Sequence, residues 1–371
     1  MNLKKDKKSK VFVGPSDNVG NAMYIARELR SVGIYSHSYS FESDPTNYEV
    51  EADYPHLLFN KLNRSKIEKY YINRFTKWPV NFVIRTVLLI KCLFKYNTFI
   101  FISPITFYNK NLDLPILSFF RKKIGIVFLG CAERDPSEQI NHGDWGYCKI
   151  CTDYTKQQSC LCNKLKLKRE KFRRIEKYCD FIFAERDLIG FVNSNHNIYP
   201  IYCAADPPKE PTVVLNKFSN KKIVVAHLPT NSILKGSKYV LEVMDKVCKE
   251  NPGIEFVTRR MPNKELLTFL ERDVHIVIDE LHSPYYGLLA VEAMARGCIV
   301  LTRVLDYFYL ERPELPIISV NPDNLEEVLN NLLNDKSKMI DIAKRSINYY
   351  NKYHTLQSVG DYYKRILELK E

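Results

Sequence analysis

The chain has 371 residues, of which 45% are hydrophobic and 26% are charged, a composition that is typical of globular proteins and argues against extensive disorder. The net charge of +12 favours anionic partners such as phosphorylated substrates or acidic lipid headgroups. No segment reaches the roughly 18 charge-free apolar residues of a membrane-spanning helix, and the basic N-terminus lacks the apolar core of a signal peptide. We therefore expect a cytoplasmic protein with two ordinary domains.

The first half of the chain alternates between strand-like and helix-like segments. Lys10–Gly14 is predicted to be a strand, and NAMYIARELRSVG is predicted to be an amphipathic helix that ends at Gly33. NTFIFIS, KIGIVFLG and DFIFA are further apolar strands. This alternation indicates a parallel sheet covered by helices, and we assign residues 1–205 to this first domain.

Within this domain, residues 79–94 (PVNFVIRTVLLIKCLF) form the most apolar segment, which Arg85 and Lys91 interrupt. We interpret it as a buried or interfacial helix. Together with the basic segments KKDKKSK and KLKLKREKFRR, it favours peripheral attachment to the cytoplasmic face of an anionic membrane.

The proline-rich segment Ala204–Asn220 interrupts the alternation and is predicted to be an interdomain linker. The pattern then restarts, with strands at KIVVAHLP, IEFVTRR, VHIVID and CIVLT and with helices at SKYVLEVMDKVCKENPG, NKELLTFLERD and LLAVEAMARG. We assign residues 213–352 to a second domain of the same kind and expect a C-terminal helix, residues 353–371, to pack on the first. The predicted fold class is therefore α/β, with two tandem doubly wound Rossmann-like domains that face a cleft. Ligands bind such sheets beyond the carboxyl ends of the strands.

Four cysteines, Cys148, Cys151, Cys160 and Cys162, lie within 15 residues. The first pair has the C-x2-C spacing of zinc ligands, whereas the closing C-x-C spacing is less usual. A structural zinc site is one interpretation, and a loop of reduced thiols is the other.

Several segments resemble one family. HLPTNSILKGSKYVLEVM and VHIVIDELHSPYYGLLAVEAMARGCIVLTR resemble the donor-binding half of GT-B glycosyltransferases, specifically of glycosyltransferase family 4. VGPSDNVGNAMYIARELRSVGI and FLGCAERD resemble its acceptor half, and YNKYHTLQSVGDYYKRIL resembles its C-terminal segment. The resemblance implies transfer of a sugar from a UDP- or GDP-linked donor, with retention of configuration and without a catalytic metal. It also implies a glycan or lipid-linked acceptor and no nucleic-acid partner.

Glu292 is the central candidate for nucleotide binding. Its helical neighbours Leu288, Leu289 and Ala295 indicate that its side of the helix is covered, and a covered carboxylate needs hydrogen-bond donors. The family resemblance implies that the hydroxyls of a ribose supply them. The alternative is an ion pair with Arg296.

The donor diphosphate has two candidate partners. Lys235 lies in a loop after a predicted strand, where it can neutralise charge on the leaving nucleotide, while Gly236 permits an unusual backbone angle and Ser237 is expected to cap the next helix. The alternative is an exposed loop lysine. The second partner is the start of the helix after Tyr286 and Gly287, where the free N–H groups near Leu288 suit a diphosphate.

The first domain offers two further groups. The loop that holds Gly14, Ser16, Gly20 and Asn21 is expected to approach the donor, although it lacks the spacing of a dinucleotide site and is alternatively an ordinary turn. Glu133 and Arg134 follow a predicted strand. Glu133 is expected to orient an acceptor hydroxyl and Arg134 to meet a phosphate or an anionic acceptor, or else the two form a structural pair.

The sequence departs from the family at three positions. Pro284 replaces the first glutamate of the common E-x7-E pattern, Ser232 lies where many relatives have an arginine, and Glu280 lies where one branch has glutamine. The leading hypothesis is a hexosyltransferase of cell-surface polysaccharide or glycolipid synthesis. The departures keep a non-catalytic partner or scaffold as an alternative. A zinc-ribbon nucleic-acid binder ranks third, because it leaves the two predicted sheets unexplained.

Overall fold

The computed structural model describes residues 9–16, 20–41, 52–55, 74–108, 110–130, 133–135, 143–154, 165–190, 192, 196–212 and 214–369. They form two compact units. The first unit falls within Met1–Asp135, Leu161–Ile201 and Gly360–Glu371, and the second within Pro136–Cys160 and Tyr202–Val359.

The first unit is built on a seven-stranded parallel sheet in the order β3-β2-β1-β4-β5-β6-β7. The strands are β1 (Lys10–Val13), β2 (Tyr35–Ser40), β3 (Tyr54–Pro55), β4 (Thr98–Ile102), β5 (Lys123–Val127), β6 (Phe181–Phe183) and β7 (Ile198–Tyr199). Helices α1 (Asn21–Ser31), α2 (Arg74–Lys95), α3 (Asp113–Phe119) and α5 (Leu165–Glu176) lie between them in the chain, and α4 (Tyr147–Tyr154) belongs to the second unit. The central strands are buried on both faces, as expected for a parallel sheet.

Strand β2 has the polar sequence YSHSYS, which the apolar pattern did not predict as a strand. Hydrogen bonds take the place of apolar burial along it. The Ser36 hydroxyl donates to the carbonyl of Ala26 at 2.8 Å, and the carboxylate of Asp53 accepts from both the N–H and the hydroxyl of Ser38, at 2.8 and 3.0 Å.

The second unit contains a five-stranded parallel sheet in the order β12-β11-β10-β8-β9. Its strands are β8 (Ile223–Ala226), β9 (Ile254–Val257), β10 (Val274–Ile278), β11 (Ile299–Thr302) and β12 (Ile318–Ser319). Its helices are α6 (Ser237–Glu250), α7 (Asn263–Arg272), α8 (Leu288–Ala295), α9 (Asp306–Glu311), α10 (Leu325–Leu333) and α11 (Lys336–Tyr353). The predicted fold class, two doubly wound α/β domains, is confirmed.

The proline-rich segment Ala204–Asn220 is packed on the second unit, because the chain passes from one unit to the other at residue 202. The buried guanidinium of Arg296 donates to the carbonyls of Asp206 and Pro207 at 3.2 and 3.4 Å. The segment therefore belongs to the second unit, ahead of the predicted domain start at residue 213.

Helix α12 (Leu356–Glu368) enters the first unit at Gly360. There Lys123 Nζ donates to the carbonyl of Leu367 at 3.1 Å, and the Tyr363 ring lies edge-on to Phe183 at 4.7 Å. Among the residues that the structure describes, no helix is both long and apolar enough to cross a membrane.

Gly360 marks a close approach between α12 and α1. A Cβ atom there would lie 2.2 Å from the Glu28 carbonyl oxygen and 2.9 Å from Ser31 Oγ. We expect Gly360→Ala to lower the free energy of unfolding by about 1–3 kcal/mol, because helix α12 must shift away from α1. Thermal unfolding measures this. Gly253→Ala is the matched control, because its added Cβ would meet nothing within 4 Å. Equal unfolding temperatures for the two variants would contradict the predicted clash.

Candidate functional site

The carboxyl ends of β8 and β10 are joined by a buried histidine. His227 directly follows β8, and its ring lies 2.8 Å from the carbonyl of Ile278 through Nδ1 and 2.8 Å from Ser237 Oγ through Nε2. The Ser237 hydroxyl therefore holds the histidine and does not cap α6, so the predicted cap is wrong. The N-terminal residue of that helix is Gly236, with a left-handed φ of 73°.

Lys235 lies at this same edge of the sheet and is buried, which contradicts the alternative of an exposed loop lysine. Its Nζ is 2.5 Å from Asp279 Oδ1 and 3.5 Å from Glu280 Oε1, and both carboxylates directly follow β10. Burial disfavours the ammonium, but Asp279 and Glu280 more than offset this and raise the pKa of Lys235 above its usual value. Lys235 is therefore a buried cation that is held by two anions.

The sequence analysis did not anticipate that a distant segment would complete this group. Tyr147, on α4, donates its hydroxyl to Glu280 Oε2. The neighbouring Trp145 donates its indole N–H to Asp323 at 2.6 Å and accepts at its carbonyl from His282 at 3.1 Å. These contacts fix α4 on the second unit. They could not be read from the sequence, because Tyr147 and Glu280 are 133 positions apart.

The loop after Glu280 leads to helix α8. The Tyr286 hydroxyl lies 3.3 Å from that of Tyr349 and 3.2 Å from His354 Nε2, so the loop is tied to the end of α11. The first intrahelical bond is donated by Val291 to the carbonyl of Gly287 at 3.3 Å. The N–H groups of the three residues from Leu288 onward therefore have no acceptor within the helix.

Glu292 lies on α8 and is only 1% exposed. Its Oε1 accepts from Asn263 Nδ2 at 3.3 Å, while its Oε2 is buried and has no hydrogen-bond partner among the described residues. Burial raises its pKa to about 7. Arg296 donates to main-chain carbonyls, among them that of Glu292 at 3.2 Å, so the structure does not show the alternative carboxylate pair. Glu292 is thus a buried acceptor with one unused oxygen.

In the first unit, Gly14 directly follows β1, where its φ of 128° and a distance of 2.2 Å between an ideal Cβ and the Tyr39 carbonyl oxygen both favour glycine. Gly20 is the N-terminal cap of α1, with a φ of 77°, and Asn21 is the first residue of that helix. Ser16 is described, but residues 17–19 of this loop lie outside the described part of the chain.

Glu133 and Arg134 are both buried but do not form the alternative structural pair. Glu133 Oε2 accepts from the N–H of Gly130 at 2.9 Å, and no described residue forms a hydrogen bond with its Oε1. Burial raises the pKa of this carboxyl. Arg134 Nε instead lies 3.0 Å from Asp187 Oδ2.

Cys148 and Cys151 lie one turn apart on α4, with Cys148 buried and Cys151 half-buried. Residues three apart share one face of a helix, as a metal site requires. Cys160 and Cys162 are outside the described residues, so the structural zinc site stays a prediction. Helix α4 lies in the second unit, although the predicted cysteine-rich insertion was assigned to the first domain.

Comparison with known proteins supports the fold through structure alone. No protein-family model and no curated protein matches the sequence. Sucrose-phosphate synthase from Thermosynechococcus elongatus superposes with a TM-score of 0.62 at 12% identity, covering 97% of this chain and 99% of that one.

Two other solved structures are similar to this chain over nearly their whole length. Anabaena HepE in complex with UDP-glucose has a TM-score of 0.58 at 13% identity and covers 96% of this chain and 98% of its own. WaaG, a glycosyltransferase involved in lipopolysaccharide biosynthesis, has a TM-score of 0.52 at 13% identity and covers 97% and 100%. The chain therefore has the GT-B fold over nearly its whole length.

The buried Glu292 carboxyl generates a prediction for the ligand-free protein. Its folded pKa of about 7 exceeds the ordinary glutamate value of 4.5, so between these pH values the folded state holds a proton that the unfolded state has lost. Stability should then fall as the pH rises through this window. Glu292→Gln removes this titration. The free energy of unfolding of Glu292→Gln minus that of the wild type should therefore increase by up to about 3 kcal/mol between pH 5 and pH 8.

Denaturant unfolding at several pH values measures this difference. Glu242→Gln, which removes an exposed carboxylate on α6, is the control and should show no such growth. A pH-independent difference between Glu292→Gln and the wild type would show that Glu292 titrates normally in the folded protein.

Proposed function

We propose that this protein is a retaining glycosyltransferase that moves a hexose-type sugar from a UDP- or GDP-linked donor to a glycan or lipid-linked acceptor. The acceptor would belong to cell-surface polysaccharide or glycolipid synthesis. The observation that carries the proposal is the unpartnered, buried oxygen of Glu292 on the helix after β10. A buried acceptor without a donor is unfavourable unless a ligand supplies one. The fold, shared with HepE in complex with UDP-glucose, supports a nucleotide sugar as that ligand.

In this proposal Glu292 accepts hydrogen bonds from the two ribose hydroxyls. Asn263 holds one carboxylate oxygen and leaves the other for the ligand. A carboxylate has about four acceptor sites, so Oε2 and the second acceptor site of Oε1 would take the two vicinal hydroxyls, and the ribose would remove the desolvation penalty of the unsatisfied oxygen.

The diphosphate would lie against the first N–H groups of α8, near Gly287 and Leu288, where the helix dipole favours negative charge. The Tyr286 hydroxyl positions the loop that leads to them. Lys235 has three ammonium protons, of which two point to carboxylates, so a third remains for a phosphate oxygen. Ser232 lies exposed in the same loop and is a further candidate for the donor.

The first unit would supply the acceptor side. The free Oε1 of Glu133 would orient an acceptor hydroxyl, and Arg134, held by Asp187, would lie next to it. Gly14, Gly20 and Asn21 would approach the donor with main-chain atoms. The leaving phosphate oxygen would deprotonate the acceptor on the face that it leaves, which gives retention without a catalytic metal.

A peripheral membrane position on the cytoplasmic face is part of the proposal. Val83, Val87, Ile90 and Phe94 are exposed at helical spacing along α2, and Phe94 is 87% exposed. Lys91 is exposed beside them, whereas Arg85 is held by the carbonyl of Phe107 at 2.9 Å. An apolar stripe with an adjacent cation suits an anionic lipid surface.

Two observations favour the alternative function, a non-catalytic partner or scaffold. Pro284 stands where relatives have a carboxylate, and the charge of Lys235 is already compensated by Asp279 and Glu280. Hydrolysis of a nucleotide sugar, or transfer from it, by the purified protein separates the two. A thermal shift with UDP, GDP or their sugars supports the transferase, because a ligand that binds only the folded state raises the unfolding temperature.

Two substitutions test the assigned roles. We expect Lys235→Ala to lower kcat by about 10²–10³, because it removes a donor to the charge that develops on the leaving phosphate. Glu292→Ala should mainly weaken nucleotide binding, since a ribose contact serves ground and transition states alike. Steady-state transfer kinetics and nucleotide titrations measure the two effects. Near wild-type transfer by Lys235→Ala would disprove the phosphate assignment, and a wild type that binds no nucleotide would favour the scaffold.

Vesicle sedimentation tests the membrane proposal. We expect the protein to bind vesicles that contain anionic lipid, high salt to weaken that binding, and the double variant Ile90→Asp, Phe94→Asp to abolish most of it. Leu310→Asp is the matched control, because Leu310 is 84% exposed on α9 of the second unit. Equal loss of binding in both variants, or no binding by the wild type, would contradict a membrane-facing α2.

A further inference from the structure

The group around Lys235 holds more hydrogen-bond acceptors than donors. Asp279 and Glu280 together present four carboxylate oxygens. Lys235 reaches Asp279 Oδ1 and Glu280 Oε1, at 2.5 and 3.5 Å, and Tyr147 donates to Glu280 Oε2. The remaining oxygen, Asp279 Oδ2, is buried and has no hydrogen-bond partner in the part of the chain that the structure describes. A ligand that completes this group must therefore bring donors.

The charge of the group leads to the same conclusion. Two carboxylates face one ammonium, which leaves an excess negative charge when both are ionised. Asp279 is 1% exposed in its side chain and Glu280 is 20% exposed, so Glu280 is the member of the pair that a ligand can reach. A phosphate or carboxylate placed against these oxygens would be repelled, since like charges in contact cost several kcal/mol. Neutral hydroxyl groups would meet no such penalty.

We propose that Glu280 binds the transferred sugar of the donor through its hydroxyl groups, and that Glu280 and the buried Asp279 behind it restrict the donor to sugars that carry no negative charge. This inference rests on the proposed function. It follows from the position of Lys235, because the sugar of a nucleotide donor is bonded to the terminal phosphate that Lys235 would contact. The ammonium of Lys235 offers positive charge to the phosphate. The carboxylates of Asp279 and Glu280 beside it offer hydrogen-bond acceptors.

Tyr147 has a positioning role in this arrangement. Its hydroxyl holds one oxygen of Glu280 while Lys235 holds the other, so the carboxylate is fixed from both sides. Trp145 in turn fixes the backbone of the same segment on His282 and Asp323. A fixed carboxylate distinguishes a hydroxyl from an anion better than a mobile one, because it cannot turn away from the repulsive group.

The test compares donors that differ only in charge. UDP-glucose with UDP-glucuronate, UDP-galactose with UDP-galacturonate, and GDP-mannose with GDP-mannuronate each exchange a hydroxymethyl group for a carboxylate. Isothermal titration gives the ratio of the two Kd values for each pair, in which the contribution of the nucleotide cancels. For at least one pair, the wild type should prefer the neutral sugar by about tenfold or more, the effect of one close like-charge contact.

Glu280→Gln removes the charge with little change of shape, and it should reduce this preference to within about threefold. Tyr147→Phe should reduce it less. Glu314→Gln is the matched control, because Glu314 is an exposed carboxylate that pairs with Lys352 at 2.8 Å, and it should keep the wild-type ratio. Unfolding temperatures and the affinity for UDP or GDP show that the variants are folded.

The outcomes separate this inference from the proposed function. If the protein binds UDP or GDP but discriminates within none of the pairs, or if Glu280→Gln keeps the wild-type ratio, the inference is overturned and the proposed function stands. If the protein binds neither nucleotide, both are overturned.

Discussion

The second unit depends on one buried charge, the ammonium of Lys235. A buried lysine is destabilising unless anions and hydrogen bonds surround it, and here Asp279 lies at 2.5 Å. Three local features make this contact possible. Asp279 directly follows the buried strand β10, the left-handed Gly236 turns the chain after the lysine, and His227 bonds both Ile278 and Ser237. Removing Lys235 would leave Asp279 as a buried charge without its ion-pair partner, which costs about 3–5 kcal/mol.

Lys235 and Glu292 show two different solutions to the burial of charge at the same edge of a sheet. The carboxylates that neutralise the lysine belong to the protein, so its charge is stabilised without a ligand. The carboxyl of Glu292 receives one side-chain hydrogen bond, from Asn263, and burial raises its pKa to about 7. Under the proposed function, the ribose of the donor would satisfy the free oxygen of Glu292.

The sequence predicted those features that depend on local patterns. The apolar runs of β1, β4, β10 and β11 and the glycine at the start of α8 are legible because strand and helix periods and backbone angles act over a few residues. Three features could not be predicted from the sequence. Strand β2 buries serines that bond to Ala26 and Asp53, the hydroxyl of Ser237 turns to His227, and the proline-rich segment is held by the carbonyl contacts of Arg296. In each case the contact is made with a residue at least ten positions away in the chain. Neither hydropathy nor residue spacing encodes such a contact. The position of Glu280 after an apolar strand indicated that it lies at the carboxyl edge of the sheet. Nothing in the sequence indicated its hydrogen bond with Tyr147.

The proline at position 284 does not leave this loop without carboxylates. Asp279 and Glu280 lie earlier in the same loop and bring two acceptors to Lys235, one of them partly accessible. A scaffold protein would gain nothing from a half-satisfied acid beside a compensated lysine, because replacing such groups by apolar residues is often neutral or stabilising. Under the proposed function, a ligand at this edge of the sheet would offer hydroxyl donors at two places, to Glu292 and to Glu280 beside Asp279. A nucleotide sugar has that distribution of groups, with a ribose at one end, a hexose at the other and the anionic diphosphate between them.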